Sequence, residues 1–419
     1  MSSLAPVPAP LPLTEPNIYD RVFWLAYLAN ILAVMANALT FRFAELVHFL
    51  GGNEQTTGNI VSVGLIVAVL ARLVLSSSID IYGTRLIWTL CSALFTGGSL
   101  VFLMATELGW PLYVARAAFY TGLTGMFACS MTHIQNHVPL NRRTEVIGNL
   151  GSSGFVGMII GSNIADQMVR WIPDLHDQFY ALFGGAAAIG FVYLLLIRQF
   201  PQTGHHEPMT EPQSAVRLLY RYWPGAVVLA AMMMGLGQTV TTVFLTRFAT
   251  ERGLNGIAIF FSAYAISAFC FRISVRNWGW TIGRRWMLFR GLMGQTAGHL
   301  MIPFVTEDWQ LLIPAVICGF GHAILFPAVV SLGAGAFPVS ARGTGTAIIL
   351  GMTDLGGLVF APFLGWIIDE AGFFWMFATS ASSAFLVACI YLIVASKHPD
   401  EESRHGRVSA AADIRPHAG

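Results

Sequence analysis

After a proline-rich opening, apolar runs of about twenty residues recur along the whole chain with short polar breaks between them. Runs near 22–43, 56–78, 85–106, 110–135, 146–168 and 178–198 predict six helices of membrane-spanning length. Runs near 223–248, 255–276, 285–305, 309–336, 343–368 and 372–396 predict six more. Between the two series lies the longest internal polar stretch, 199–222, with Pro201, His205, His206, Glu207, Pro208 and Pro212. This is the expected linker, flanked by tails at 1–20 and 397–419.

Composition sharpens that picture. Hydrophobic residues make up 55% and charged residues 11% of 419 positions, and mean hydropathy is +0.63. Soluble domains carry roughly 25% charge, so the solvent for most of this chain is lipid. A net charge of +1 gives no reason to expect a nucleic-acid partner. Cys91, Cys129, Cys270, Cys318 and Cys389 all fall in apolar runs without CxxC spacing, so they read as packing residues rather than disulfides or metal ligands. The prolines of the first twenty residues leave no apolar core for a cleavable leader. If the N-terminus is cytoplasmic, the inner side holds most of the arginines and the outer side only Arg42, Arg170, Arg247 and Arg252. The positive-inside rule then puts both termini in the cytoplasm, with an inner (plasma) membrane as the expected location.

One stretch occurs twice. Arg72, Gly83 and Arg85 map without a gap onto Arg272, Gly283 and Arg285, an offset of 200 in a chain of 419 residues. Such an offset implies two similar halves, an architecture of membrane transporters. The first copy, with Asp80, Gly83 and Arg85, resembles the loop between the second and third helices of the major facilitator superfamily. In the second copy Trp280 stands at the place of the aspartate. The resemblance implies an all-α fold of twelve transmembrane helices in two pseudo-symmetric six-helix bundles, 21–198 and 223–396. It also implies a cytoplasmic gate at Asp80, Gly83, Arg85, Gly283 and Arg285.

The candidate chemistry is sparse, as it must be inside a membrane. An ionisable group deep in a span costs a few kcal/mol and faces a cavity or a partner. Asp354 is a lone carboxylate inside the eleventh predicted helix, either a proton carrier or a fixed partner for an arginine. Its surroundings, Gly351 to Gly357 followed by Ala361 and Pro362, resemble the eleventh helix of facilitator-type drug and metabolite exporters. Arg116 opens a stretch resembling the helix-four motif of the superfamily, in which a buried arginine is tied to proton transfer. Phe119 and Tyr120 replace that motif's glutamine and first glycine. His322 offers a proton relay or a satisfied core histidine. Glycines at 148, 151, 154, 157 and 161 share one face of the fifth helix, which permits close approach and sliding. His133 and His137 have metal-ligand spacing but no third ligand, so no metal and no cofactor is expected.

Two transport readings follow. The preferred one is proton-coupled export of a small organic solute by a monomer in the lipid bilayer. Asp354, Arg116 and His322 would handle protons, and Asn30, Asn37, Arg72, Gln238, Thr242 and Arg272 would line the substrate cavity. The alternative is a small-anion porter in which Arg72 and Arg272 clamp an oxyanion between planar forks, since nitrate/nitrite porters carry arginines at similar places. The opposing view of those arginines is that each snorkels to the cytoplasmic surface. An enzyme is not expected, since neither HExxH nor G-x-S-x-G occurs.

Overall fold

The fold was examined in a computed structural model, which describes residues 18–138, 142–201, 215–275, 278–338 and 341–396. Among these residues the structure is helical throughout, with no strand. The N-terminal set comprises α1 (Arg21–Leu39), α2 (Phe43–Phe49), α3 (Glu54–Tyr82), α4 (Thr84–Phe102), α5 (Trp110–His137), α6 (Arg143–Trp171) and α7 (Leu175–Ile197). A short helix, α8 (Ala215–Arg221), lies within the expected linker, and 202–214 are outside the described residues. The C-terminal set comprises α9 (Val227–Thr239), α10 (Leu245–Glu251), α11 (Ala258–Ser274), α12 (Arg284–Met301), α13 (Leu312–Gly335), α14 (Arg342–Ala371) and α15 (Phe373–Ser396). A 3-10 turn, Thr40–Arg42, joins α1 to α2, and a π turn, Val240–Phe244, joins α9 to α10.

Among the described residues, eight segments are long and apolar enough to cross a membrane. They are Arg21–Phe49, Glu54–Leu75, Thr84–Phe102, Leu175–Ile197, Val227–Glu251, Asp308–Gly335, Thr344–Ala371 and Phe373–Val394. The other four expected spans are also helical, as α5, α6, α11 and α12, but are shorter or more polar. The last of these opens on Arg284 and Arg285, and α11 has 17 residues. Large apolar side chains such as Leu70, Val74, Phe191, Trp375 and Leu386 stand more than half exposed on the outside, as lipid-facing residues do.

Local chemistry sets the helix ends. Asp20, Asn53 and Asp174 cap α1, α3 and α7 by accepting from the amides of Phe23, Thr56 and Asp177. The repeated motif folds the same way twice. Gly83 has φ 83° and ψ 148°, and Gly283 has φ 89° and ψ 147°, each turning the chain into the next helix. That left-handed conformation favours glycine, which is why the glycine is kept in both copies while the aspartate is not.

The two sets meet along two helix pairs, α3 with α14 and α6 with α11. One end of the molecule carries Glu54, Asp166 and Asp369; the other carries Gly83 and Gly283. The glycine face of α6 is packed toward the first end, where a Cβ on Gly157 would lie 2.6 Å from the Ile31 carbonyl and one on Gly161 2.6 Å from that of Met35. Toward the other end, a Cβ on Gly148 would meet nothing within 4 Å. On α14, Gly356 sits against Met232, whereas Gly351 faces open space.

Candidate transport site

Asp354 on α14 and Arg72 on α3 form the central polar contact between the sets. Asp354 Oδ2 accepts from Arg72 Nη2 at 2.6 Å. The two side chains keep 24% and 22% of their surface exposed, so the pair is reachable by water as well as paired. Pairing removes most of the cost of holding either charge in a span.

Asp354 and Arg116, both expected among the proton-handling residues, are not paired with each other. Arg116 is buried on α5, where its Nη2 donates to the Tyr120 hydroxyl at 2.8 Å. Its guanidinium lies 4.3 Å from the Phe43 ring and 4.4 Å from the Tyr120 ring. The reason is local: the aromatic residues standing in place of glutamine and glycine supply ring faces that hold the cation. Nε and Nη1 of Arg116 find no partner.

Arg72 and Arg272 also part company. Arg72 is committed to Asp354, whereas Arg272 lies 5.1 Å from the Phe155 ring and 5.6 Å from the Phe326 ring. In this arrangement the two guanidinium groups have different neighbours and do not close on one anion.

A small cavity of about 40 Å³ lies inside the C-terminal set. Gln238, Thr241, Tyr264, Gln295, His299 and His322 supply its polar lining. Gln295 Nε2 donates to the Met233 carbonyl at 2.8 Å and His299 Nδ1 lies 2.8 Å from Ser380 Oγ, which fixes both side chains. The His322 ring stands 5.8 Å from Tyr264 and 5.7 Å from Phe326, with no carboxylate bonded to it among the described residues. A larger hollow of about 220 Å³, near the Glu54 end, is lined mainly by phenylalanine and leucine and gathers few polar groups.

Of the expected cavity residues, Gln238 joins this lining, and His322 joins it too. Thr242 instead donates to the Gln238 carbonyl at 2.7 Å along its own helix. Asn30 is buried with an unpartnered Oδ1, and the Asn37 carbonyl accepts from Thr40; neither lines the cavity. At the expected gate, Arg85 Nη2 donates to the Arg198 carbonyl at 3.2 Å, and Arg284 Nη1 to Ser331 at 2.7 Å. Arg285 has a partner of its own, and the side chain of Asp80 lies outside the described residues.

Sequence reasoning missed the lock at the Glu54 end. Arg42 binds Glu45 at 2.8 Å and Asp166 at 2.8 Å, all three buried. The other oxygen of Asp166 accepts from the Ala258 amide at 2.6 Å, capping α11 across the two sets. Asp369 does the same for α3, accepting from the Glu54 and Gln55 amides at 3.0 and 2.8 Å. Arg247 closes on Glu54 at 2.7 Å, and Thr250 donates to Glu45 at 3.0 Å. The available signal was a carboxylate near the C-terminal end of each glycine-rich helix, a place where no helix dipole favours a negative charge. A carboxylate there implies a partner elsewhere. At the Gly83 end, Asp20–His137, Tyr19–Asn149 and Tyr27–Ser152 each join residues of one set.

Two long helical series meeting on glycine-faced helices, with ionic contacts across them, are matched over most of the chain by one family model. That of the Major Facilitator Superfamily covers residues 23–282 and 227–417. The chain belongs to the Major Facilitator Superfamily. The proteins it resembles are transporters. Among curated proteins it is similar to the purine ribonucleoside efflux pump NepI of Escherichia coli strain K12, at 21% identity over 263 residues. That match spans 61% of this chain and 64% of NepI, so it covers less than two thirds of the relative's length. Among solved structures, the nucleoside transporter NupG (D323A mutant) superposes with a TM-score of 0.76 at 12% identity, covering 89% of this chain and 99% of that one. A D-xylose-proton symporter gives 0.71 at 16% identity, covering 88% and 96%. These structural likenesses are of fold.

Proposed function

We propose that this facilitator-superfamily transporter is a proton-coupled exporter of a small organic solute. Its two six-helix bundles, 21–198 and 223–396, rock about a central site, with both termini cytoplasmic and the chain acting as a monomer in the inner membrane. The arrangement described, locked at the Glu54 end and open along the glycines of α6 and α14 at the other, is the inward-facing state.

The observation that carries the reading is the Arg72–Asp354 pair, about a quarter exposed and placed between the locked end and the open end. Protonating Asp354 removes its charge, releases Arg72 and weakens the only ion pair near the middle of α3 and α14 among the described residues. The bundles can then separate, and the proton leaves when Asp354 reaches the opposite side and re-forms the pair. Movement of the proton down its gradient thus biases the two states, and the solute moves the other way. The likeness to NepI, an efflux pump, supports the direction.

The test uses Asp354→Asn, which mimics the protonated carboxyl permanently. Gradient-driven accumulation in proteoliposomes should be abolished, while counterflow at equal concentrations persists. Wild-type gradient-driven flux in the variant would make Asp354 a structural partner and move the proton elsewhere, with His322 next in line.

A further inference from the structure

The repeat brings out a vacancy in charge. Positions 72 and 272 differ by 200, and so do positions 154 and 354. The equivalence is structural as well, since the glycine turns that follow the two arginines have the same backbone conformation. Across the α3–α14 pair, Arg72 meets Asp354. Across the α6–α11 pair, Arg272 faces α6, where the position matching Asp354 is Gly154.

The space opposite Arg272 is open. A Cβ on Gly154 would meet only Val34, at 3.9 Å, and a Cβ on Gly151 would meet only Arg272 Nη1, at 3.7 Å. Arg272 carries no hydrogen bond or ion pair among the described residues, and its charge is held only by the ring faces of Phe155 and Phe326. An uncompensated guanidinium in a span is costly, and an oxyanion arriving opposite it would relieve that cost through two parallel hydrogen bonds. Phe326 is shared: it flanks Arg272 on one side and His322 of the polar cavity on the other. A solute with its anionic group at Arg272 would bring the rest of its body against the Phe155 and Phe326 rings, beside His322. The aromatic flanks suit a planar body.

We infer that the transported solute is a small planar organic anion whose carboxylate takes, beside Arg272, the place that the Asp354 carboxylate takes beside Arg72. This deepens the transport reading above and rests on it for the word transported. The binding itself needs neither flux nor a gradient. It also differs from a two-arginine clamp, since Arg72 is left to its partner.

Thermal unfolding of the full-length protein in detergent tests it, with benzoate as the anionic probe and benzamide and inosine as uncharged planar controls. Benzoate should raise the unfolding temperature by a few degrees, and the controls should not. Arg272→Gln should lose the shift. Gly154→Asp, which restores the symmetric carboxylate in the chain itself, should lose it too. Arg272→Lys keeps the charge without the fork and should need roughly tenfold more benzoate. The shift is read in detergent, without flux or a gradient, so a failure of coupling leaves the benzoate response in place and a failure of anion binding removes it. The proposal is overturned if benzoate acts equally on wild type and Arg272→Gln, or shifts wild type no more than benzamide does. If Gly154→Asp does not fold, Arg272→Gln decides.

Discussion

The α3–α14 and α6–α11 pairs are built alike at one end and differ in the middle. At the Glu54 end each pair is closed by a carboxylate from the glycine-rich helix that caps its neighbour across the sets: Asp369 on α3 and Asp166 on α11. In the middle, one pair has an arginine with a carboxylate and the other an arginine with bare backbone. The contrast teaches that the repeat is conserved where the helices must lock and broken where chemistry is needed. On the proposed reading, one carboxyl holds and yields a proton and one cation is left for a ligand.

Variants can break this comparison, beginning with the caps. Asp166→Ala strands buried Arg42 with Glu45 alone and uncaps α11, and losing one partner of a buried pair costs on the order of 3–5 kcal/mol. The unfolding temperature should drop accordingly, and an unchanged value would remove Asp166 from the lock. Asp369→Asn keeps an acceptor for the α3 amides at a more exposed site, so its cost should be nearer 1 kcal/mol, as for an N-cap. Equal losses in the two variants would mean that burial of the cap does not matter.

The glycine face offers a comparison within one helix. Gly157→Ala forces a methyl against the Ile31 carbonyl and should destabilise this state by about 1–3 kcal/mol, the usual range for overpacking. Gly148→Ala meets open space and should be neutral or better in unfolding experiments. If the two alanines behave alike, α6 is packed along its whole length and the Gly83 end is not parted.

How much of this was legible before the coordinates? The helices were, because apolar runs of spanning length leave few other solutions. So was the glycine turn, because its repeat at 283 reports a backbone need. The Arg72–Asp354 contact was not, since 282 positions separate its members and only the meeting of two helix faces brings them together. Arg116 was placed with a motif whose neighbouring residues had already changed to Phe119 and Tyr120, and those rings redirected it. Of the residues expected to line the cavity, Gln238 is in the lining, whereas Tyr264, Gln295 and His299 carry no spacing signal in an apolar helix.

The smallest expected effect lies at the Gly83 end, where contacts stay within one set. Partial burial opposes it, but the Phe23 amide and His137 together hold the Asp20 carboxyl below its ordinary value. A carboxyl lowered in the folded state contributes stability above the unfolded value, about 3.9, and loses it as pH falls through the folded one. Wild type should therefore lose unfolding temperature more steeply than Asp20→Asn below about pH 4. Parallel curves would show that this cap does nothing for the fold.

The π turn at Val240–Phe244 sets the phase of the helix it interrupts. One residue added to a helix rotates everything beyond it by about 100°. Gln238 looks into the cavity on one side of the turn, and Arg247 reaches Glu54 on the other. Deleting a single residue there would leave both side chains in the sequence and swing one of them off its target, as a clock hand moves without changing its length.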